Sequence, residues 1–210
     1  MALDPTLLIM LPRPDTEGSM ALEQAIARRR SVREFDGGPV SLAELGQILW
    51  AAQGVTHPRG LRATPSAGAR YPLELYTILA GTNDLGAGVY HYRPVPHGLG
   101  QMAEGDFRAE FAAAALMQAW VARAGVIVVV SAAPERTTGK YGRRGRRYVA
   151  IEVGHCAQDI YLQAVALGLG AIEVGAFDDN VVSSSLLRLP HEQEPVTSVA
   201  VGRSLSSHPP

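Results

Sequence analysis

The sequence predicts an α+β fold, with helices packed on a mixed or antiparallel sheet. Three observations lead there. Read by hydrophobic period, the elements run α-α-β-β-α-β-α-β-α-β, so strands and helices do not alternate regularly. No Gly-x-Gly-x-x-Gly follows a first strand, which argues against a doubly wound dinucleotide domain. Val126-Ile127-Val128-Val129-Val130 is too apolar for a half-exposed strand and belongs at the centre of a sheet.

The elements follow in order. Thr6-Leu7-Leu8-Ile9-Met10-Leu11 is an apolar arm between Pro5 and Pro12, suited to docking on a hydrophobic surface of its own subunit or another. Residues 12–18 read as loop. Ser19 is placed to cap a first helix that carries Leu22, Ala25 and Ile26 on one side and runs to Arg30. Ser41-Leu42-Ala43-Glu44 is a full capping box. It opens a helix with Leu42, Leu45, Ile48, Leu49 and Ala52 at helical spacing and a stop near Gly54. Residues 54–72 hold three Pro and three Gly and form a long loop of the kind that carries function.

Strands are expected at Leu73–Leu79 and Gly88–Tyr92, with Asn83-Asp84-Leu85-Gly86 in their connection. Phe107 to Trp120 is Ala-rich and reads as helix, ahead of the central strand at 126–130. Residues 136–147 hold six basic residues and no acid, and read as a basic loop. From Tyr148 to Leu167 a helix keeps one polar stripe of Glu152, His155, Asp159 and Gln163. The rest of it is apolar or small, so most of its sides are buried. At ~1.5 Å per residue it is roughly 30 Å long, enough to cross a domain or a subunit interface. Ala171–Phe177 is a strand, Asp178-Asp179 cap a short helix to about Leu189, and Pro195–Val201 is the last strand. The organisation is an arm at 1–18, one domain at 19–204 and a tail at 205–210.

Composition narrows the function. The chain has 210 residues, 47% apolar and 19% charged, with net charge −1. That suits an enzyme-sized core and gives no global field to draw nucleic acid or a membrane. The lone Cys156 forms no internal disulfide, which fits a reducing cytoplasm or simply a fold that needs no crosslink. No signal peptide is visible and no run reaches the ~20 apolar residues of a membrane span. The six histidines, at 57, 91, 97, 155, 191 and 208, are scattered without metal-ligand spacing.

Four stretches can carry chemistry. Arg28-Arg29-Arg30-Ser31-Val32-Arg33 is either a solvated basic helix end or a seat for a dianion, since arginine forks match phosphate oxygens. Pro65-Ser66-Ala67-Gly68 is either an ordinary turn or a rigid small-residue loop that lets a flat ring approach the backbone. Val174-Gly175-Ala176 is either a plain strand-to-helix turn or a place with unobstructed N–H donors. Lys140-Tyr141 is either part of a solvated basic loop or a pair of proton donors tuned by neighbouring cations.

These stretches occur in a set order. Arg29-Arg30-Ser31-Val32-Arg33 comes first, then Pro65-Ser66-Ala67-Gly68 and Glu152-Val153-Gly154-His155-Cys156-Ala157-Gln158. Gly168-Leu169-Gly170, Val174-Gly175-Ala176-Phe177-Asp178-Asp179 and Val201-Gly202-Arg203 follow. The set resembles the nitroreductase family of FMN-dependent oxidoreductases over residues 11–204. Glu135-Arg136-Thr137-Thr138-Gly139-Lys140-Tyr141-Gly142 with Arg147-Tyr148 is similar to the SagB-type branch, which includes azoline-oxidising dehydrogenases.

The resemblance implies a cytoplasmic homodimer with FMN at the subunit interface, acting on a small organic molecule. Hydride would pass through flavin N5 by ping-pong exchange, with NADH or NADPH as a candidate donor. Arg29, Arg30, Ser31 and Arg33 would hold the phosphate, ribityl and pyrimidine side, joined by Arg203 at the phosphate. Pro65, Ser66, Ala67 and Gly68 would come from the second subunit, and Val174, Gly175 and Ala176 would lie by the ring. Lys140 and Tyr141 would be the catalytic pair. Ala69 stands where many members carry Asn, so the flavin contacts of that loop would fall to its backbone.

Overall fold

Alternating branched residues at 126–130 need cover on both faces, and both faces have it. In the computed structural model, which describes residues 8–205, Val126, Val128 and Val130 enter one core while Ile127 and Val129 enter a second on the opposite side. Residues 1–7 of the arm and 206–210 of the tail, with His208, lie outside the described residues.

The strands are β1 (Leu8–Met10), β2 (Leu73–Leu79), β3 (Gly88–Arg93), β4 (Gly98–Glu104), β5 (Val126–Ala132), β6 (Gly170–Val174) and β7 (Glu194–Gly202). They form one sheet in the order β1-β4-β3-β2-β5-β7-β6, and every pairing between them is antiparallel. The α-helices are α1 (Leu22–Arg28), α2 (Leu42–Gln53), α3 (Arg108–Ala114), α4 (Glu135–Tyr141) and α5 (Gly145–Ala166). The α+β class is as expected, with the sheet wholly antiparallel.

One core lies under α2 and α5, where Leu45, Ile48 and Leu49 meet Val153, Cys156 and Ile160. The other gathers Phe35, Phe111, Val121, Val182 and Leu187. The capping box forms as read: the Ser41 hydroxyl accepts from Glu44 N at 3.2 Å, and Glu44 accepts from Ser41 N at 2.7 Å. Asp178 Oδ1 accepts from the Asn180 and Val181 amides and opens a π-helical turn at Val181–Leu186.

Several local expectations are corrected. Ser19 caps nothing: α1 starts at Leu22, and its N-cap Ala21 has no side-chain bond. Residues 98–104 pair as β4, although glycine makes them poor strand formers. A Cβ on Gly98 would collide with Leu8, so the glycine lets β1 lie close. The helix expected over 107–120 breaks at Leu116 and Met117, whose φ values of 55° and 58° end it. The run 136–147 is not a loop. It holds α4 and the first turn of α5, and a Cβ on Gly145 would fall 2.7 Å from the Thr138 Cα. That close approach of two backbones is what the glycine permits.

Among the described residues, no helix is long and apolar enough to cross a membrane.

Candidate active site

The loop before β2 is strained. Gly68, Ala69 and Tyr71 take φ of 61°, 52° and 47°, in the left-handed region that costs a side-chain-bearing residue energy. Specific bonds hold it there. Ala69 N donates to Ser66 O at 3.0 Å, and Tyr71 N donates to Ser66 Oγ at 2.8 Å. Thr64 Oγ1 lies 2.7 Å from Ala52 O and 2.9 Å from Asp159 Oδ2, which ties the loop to α2 and α5. The Arg62 guanidinium donates to Gln53 Oε1 at 3.0 Å and lies 4.7 Å above the Tyr71 ring.

Lys140 and Tyr141 end α4, and α4 is fastened to that same region. Arg136 Nη1 meets Glu74 Oε1 at 2.6 Å and Tyr71 O at 3.0 Å, while Arg70 Nε donates to Arg136 O at 2.9 Å. Glu74 also meets His91 Nε2 at 2.9 Å, and the His91 ring stacks on Tyr76 at 4.4 Å. The result brings distant residues together. A Cβ built on Gly68 would lie 2.5 Å from the Tyr141 hydroxyl and 2.8 Å from Lys140 Nζ. Glycine at 68 is therefore what seats the pair on the loop. The Tyr141 ring meets Tyr148 edge-on at 5.1 Å, and Lys140 Nζ lies 5.3 Å over the Tyr141 ring.

The remaining candidate residues line β6. Ser31 bridges Ala171, and Val32 N donates to Ala171 O at 3.0 Å. Phe35 bridges Ser204, and Asp36 N donates to Arg203 O at 3.0 Å, so residues 31–36 run beside both β6 and residues 203–204. Ser31, Arg33 and Arg203 thus share one end of the sheet, all exposed. Arg29 lies 5.3 Å over the Tyr161 ring. Arg30 Nη1 bonds back to Ala27 O and Arg29 O, and Arg203 Nη2 meets Glu44 Oε1 at 3.0 Å. At the far end of β6, five residues or on the order of 15 Å away, Gly175 and Ala176 are exposed. Glu173 on β6 donates its N–H to the Tyr161 hydroxyl at 2.6 Å and accepts from Thr197 Oγ1 at 3.0 Å.

One chain therefore shows two groupings. Cations and a hydroxyl sit at one end of β6 with bare backbone at the other, a donor set that fits a flat ring carrying a phosphate. The strained loop with Lys140 and Tyr141 is the second.

Sequence reasoning named Glu152 as one residue of a polar stripe and as the start of the Glu152–Gln158 stretch, without giving it a role. It is 2% exposed and lies beneath the strained loop, with no well-formed hydrogen bond to either carboxyl oxygen. Burial pushes it up to about 7, against the Ser66 hydroxyl, the Ala67 N–H and the Arg62 charge, which approach closely enough to oppose protonation. Nothing in the sequence set it apart from His155, Asp159 and Gln163 of the same stripe. Among the described residues, no cluster of His, Cys, Asp and Glu has the makings of a metal site.

Comparison with known proteins converges on one family. The nitroreductase family model matches residues 26–203. A Methanocaldococcus jannaschii protein assigned as a nitroreductase is 44% identical over 192 residues, covering 91% of this chain and 95% of the relative. The crystal structure of a protein assigned as a nitroreductase from Ralstonia eutropha superposes with a TM-score of 0.79 at 28% identity, over 99% of this chain and 96% of that one. The E. coli microcin synthetase complex with truncated pro-MccB17 bound shares the fold at a TM-score of 0.75 and 22% identity, over 94% of this chain and 78% of that one.

Proposed function

Because the chain belongs to the nitroreductase family, whose members are FMN-dependent oxidoreductases, we propose that it is a homodimeric dehydrogenase of SagB type acting on a small organic molecule. The observation that carries the finer reading is the seating of Lys140 Nζ and the Tyr141 hydroxyl against Gly68.

In this reading Arg29, Arg30, Ser31, Arg33 and Arg203 hold the phosphate, ribityl and pyrimidine side of FMN, and Val174, Gly175 and Ala176 face the ring. Pro65, Ser66, Ala67 and Gly68 reach it from the second subunit. Lys140 and Tyr141 rest on that loop in their own chain, so they cross the interface with it. FMN, when bound, supplies hydride exchange at N5, open in turn to two substrates.

Lys140 and Tyr141 handle the proton that leaves the substrate as its C–H hydride departs. A phenol and an ammonium side by side each carry a transferable proton, which suits that task. The exposed apolar residues of α1, Leu22 at 60% and Ile26 at 55%, support a dimer. So does the open groove of about 680 Å³ between residues 15–20, α2 and α5. A cytoplasmic location agrees with the single buried Cys156.

The test is direct. Acid extraction of the purified protein should release FMN, and a protein that neither releases FMN nor takes it up fails the reading. Lys140→Ala and Tyr141→Phe should keep the flavin and lower dehydrogenation by about 10²-fold or more. If NADH or NADPH bleaches the flavin rapidly and both variants turn over normally, the protein is a nitro or quinone reductase instead. FMN held without reduction by any donor would make it a flavin-binding protein without turnover.

A further inference from the structure

We propose that Arg143, Arg144 and Arg147 form an anion subsite beside Lys140 and Tyr141, and that the substrate carries a carboxylate or a phosphate that docks there. Calling the anion part of the substrate rests on the function proposed above; the anion binding itself does not.

Charge is unevenly placed along the chain. Residues 136–147 hold six of its 19 basic residues and no acid. The other 13 basic residues stand against 20 acidic ones, a formal charge of −7 outside the run. Two of the six are neutralised where they lie, Arg136 by Glu74 at 2.6 Å and Arg146 by Glu194 at 3.1 Å. Lys140, Arg143, Arg144 and Arg147 are exposed and make no ion pair among the described residues.

The fold gathers these four into one corner. The turn at Gly142–Arg144 joins α4 to α5, and Gly145 lets the two backbones approach closely. Tyr141 at the end of α4 meets the ring of Tyr148, near the start of α5, at 5.1 Å. Arg147, next to Tyr148 in the chain, is thereby brought back towards Lys140 and Tyr141.

This arrangement opposes the local rules. The start of a helix favours acids and disfavours cations, and like charges at close range repel. Yet α5 has no acid in its first turn, and its first acid, Glu152, is buried. Nothing in the packing calls for three unpaired guanidinium groups there. An oxyanion bound among them would relieve both costs, and a local rule broken without structural gain marks a functional site. Arginine forks match the oxygens of carboxylate and phosphate.

The residue types divide the work. Lys140 is the only lysine in the chain, and the other 18 basic residues are arginine. Arginine stays charged and binds oxyanions through two parallel bonds, whereas an ammonium gives up a proton far more readily. The arginines therefore anchor the anion, and Lys140 is left to handle the proton.

The lone lysine also supplies the test. Reductive methylation with 13C-formaldehyde labels Lys140 and the α-amino group, which give separate signals, and it leaves the charge in place. Pyrophosphate, thiazole-4-carboxylate and the neutral thiazole-4-carboxamide are titrated in turn into protein saturated with FMN, or into protein as purified if it takes none. At least one of the two anions should move the Lys140 signal and bind about tenfold or more tightly than the amide. The tighter anion shows which group the substrate bears. Replacing all three residues, Arg143→Gln, Arg144→Gln and Arg147→Gln, should weaken that anion about tenfold or more and leave the amide unchanged. A second measurement needs no variant: the bound anion should shield these three arginines of wild type from phenylglyoxal, read by mass spectrometry. The proposal is overturned if both anions leave the Lys140 signal unmoved, bind no better than the amide, or bind the triple variant equally well. Unchanged phenylglyoxal modification overturns it too. Thiazoline-4-carboxylate should also reduce the bound flavin, at about tenfold lower concentration than its methyl ester. Equal concentrations would show that the anion is no part of the substrate. If the anions bind through the three arginines but neither thiazoline reduces a flavin, the subsite stands and the dehydrogenase reading is what fails.

Discussion

Arg136 Nη1 and Glu74 Oε1 lie 2.6 Å apart, and this ion pair joins the helix that ends in Lys140 and Tyr141 to strand β2. Burial alone would raise Glu74, but its hydrogen bonds with His91 and Arg136 outweigh that and hold it below the usual carboxylate range. Its contribution to stability is therefore present above the unfolded-state value and lost as pH falls through the lower folded one. Glu74→Gln should cost about 1–3 kcal/mol at pH 7, because Arg136 and His91 lose a charged partner. Denaturant titrations at several pH values should show wild type losing that margin in acid, with the variant's curve flatter over the same range.

Gly68→Ala tests the seat itself. The new methyl must displace the Tyr141 hydroxyl and Lys140 Nζ, and the residue must hold φ 61°. Displacing two flexible side-chain ends is cheap for the fold, so the loss should be about 1 kcal/mol from the backbone alone. Dehydrogenase turnover should fall more than about tenfold. A variant with normal turnover would show that the two side chains act elsewhere.

Leu22→Glu with Ile26→Glu places charge on the exposed apolar side of α1. Light scattering should find wild type dimeric and the variant monomeric, with weakened FMN retention if, as proposed, each site draws on both subunits. A dimer unaffected by both charges would move the interface off α1.

Arg29→Ala separates phosphate from ring. Losing one charge-assisted contact, about 1.5–3 kcal/mol, should weaken FMN binding roughly 10- to 100-fold. Riboflavin, which has no phosphate, should bind both proteins alike. Equal losses for the two ligands would remove Arg29 from the phosphate.

Cys156 is fully buried, and burial pushes its thiol well above the usual range. A thiolate-specific reagent should leave it untouched in the folded protein and modify it fully in denaturant. Rapid modification of native protein would mean that α5 opens locally.

Features closed by short-range bonds were legible. The Ser41–Glu44 box and the Asp178 turn need only three or four residues to form. The strand at 126–132 carries its burial in its own composition. Elements whose residues are neutral or poor formers were not legible. Strand β4 is made by its neighbours β3 and β1, and α4 contains Thr137, Thr138 and Gly139, weak formers that packing against α5 holds helical.

The sequence by itself determined the fold class, the central strand and the ordered motifs that mark the family, because each is written in local periods and spacings. Only the tertiary structure decided that Tyr141 and Lys140 come to rest on Gly68, more than seventy positions earlier, with Glu152 buried beneath the same loop. No local rule joins those segments. They meet because α5 can bury its apolar sides only against the sheet and α2, and that packing carries its start, and the end of α4, to the strained loop at 65–71.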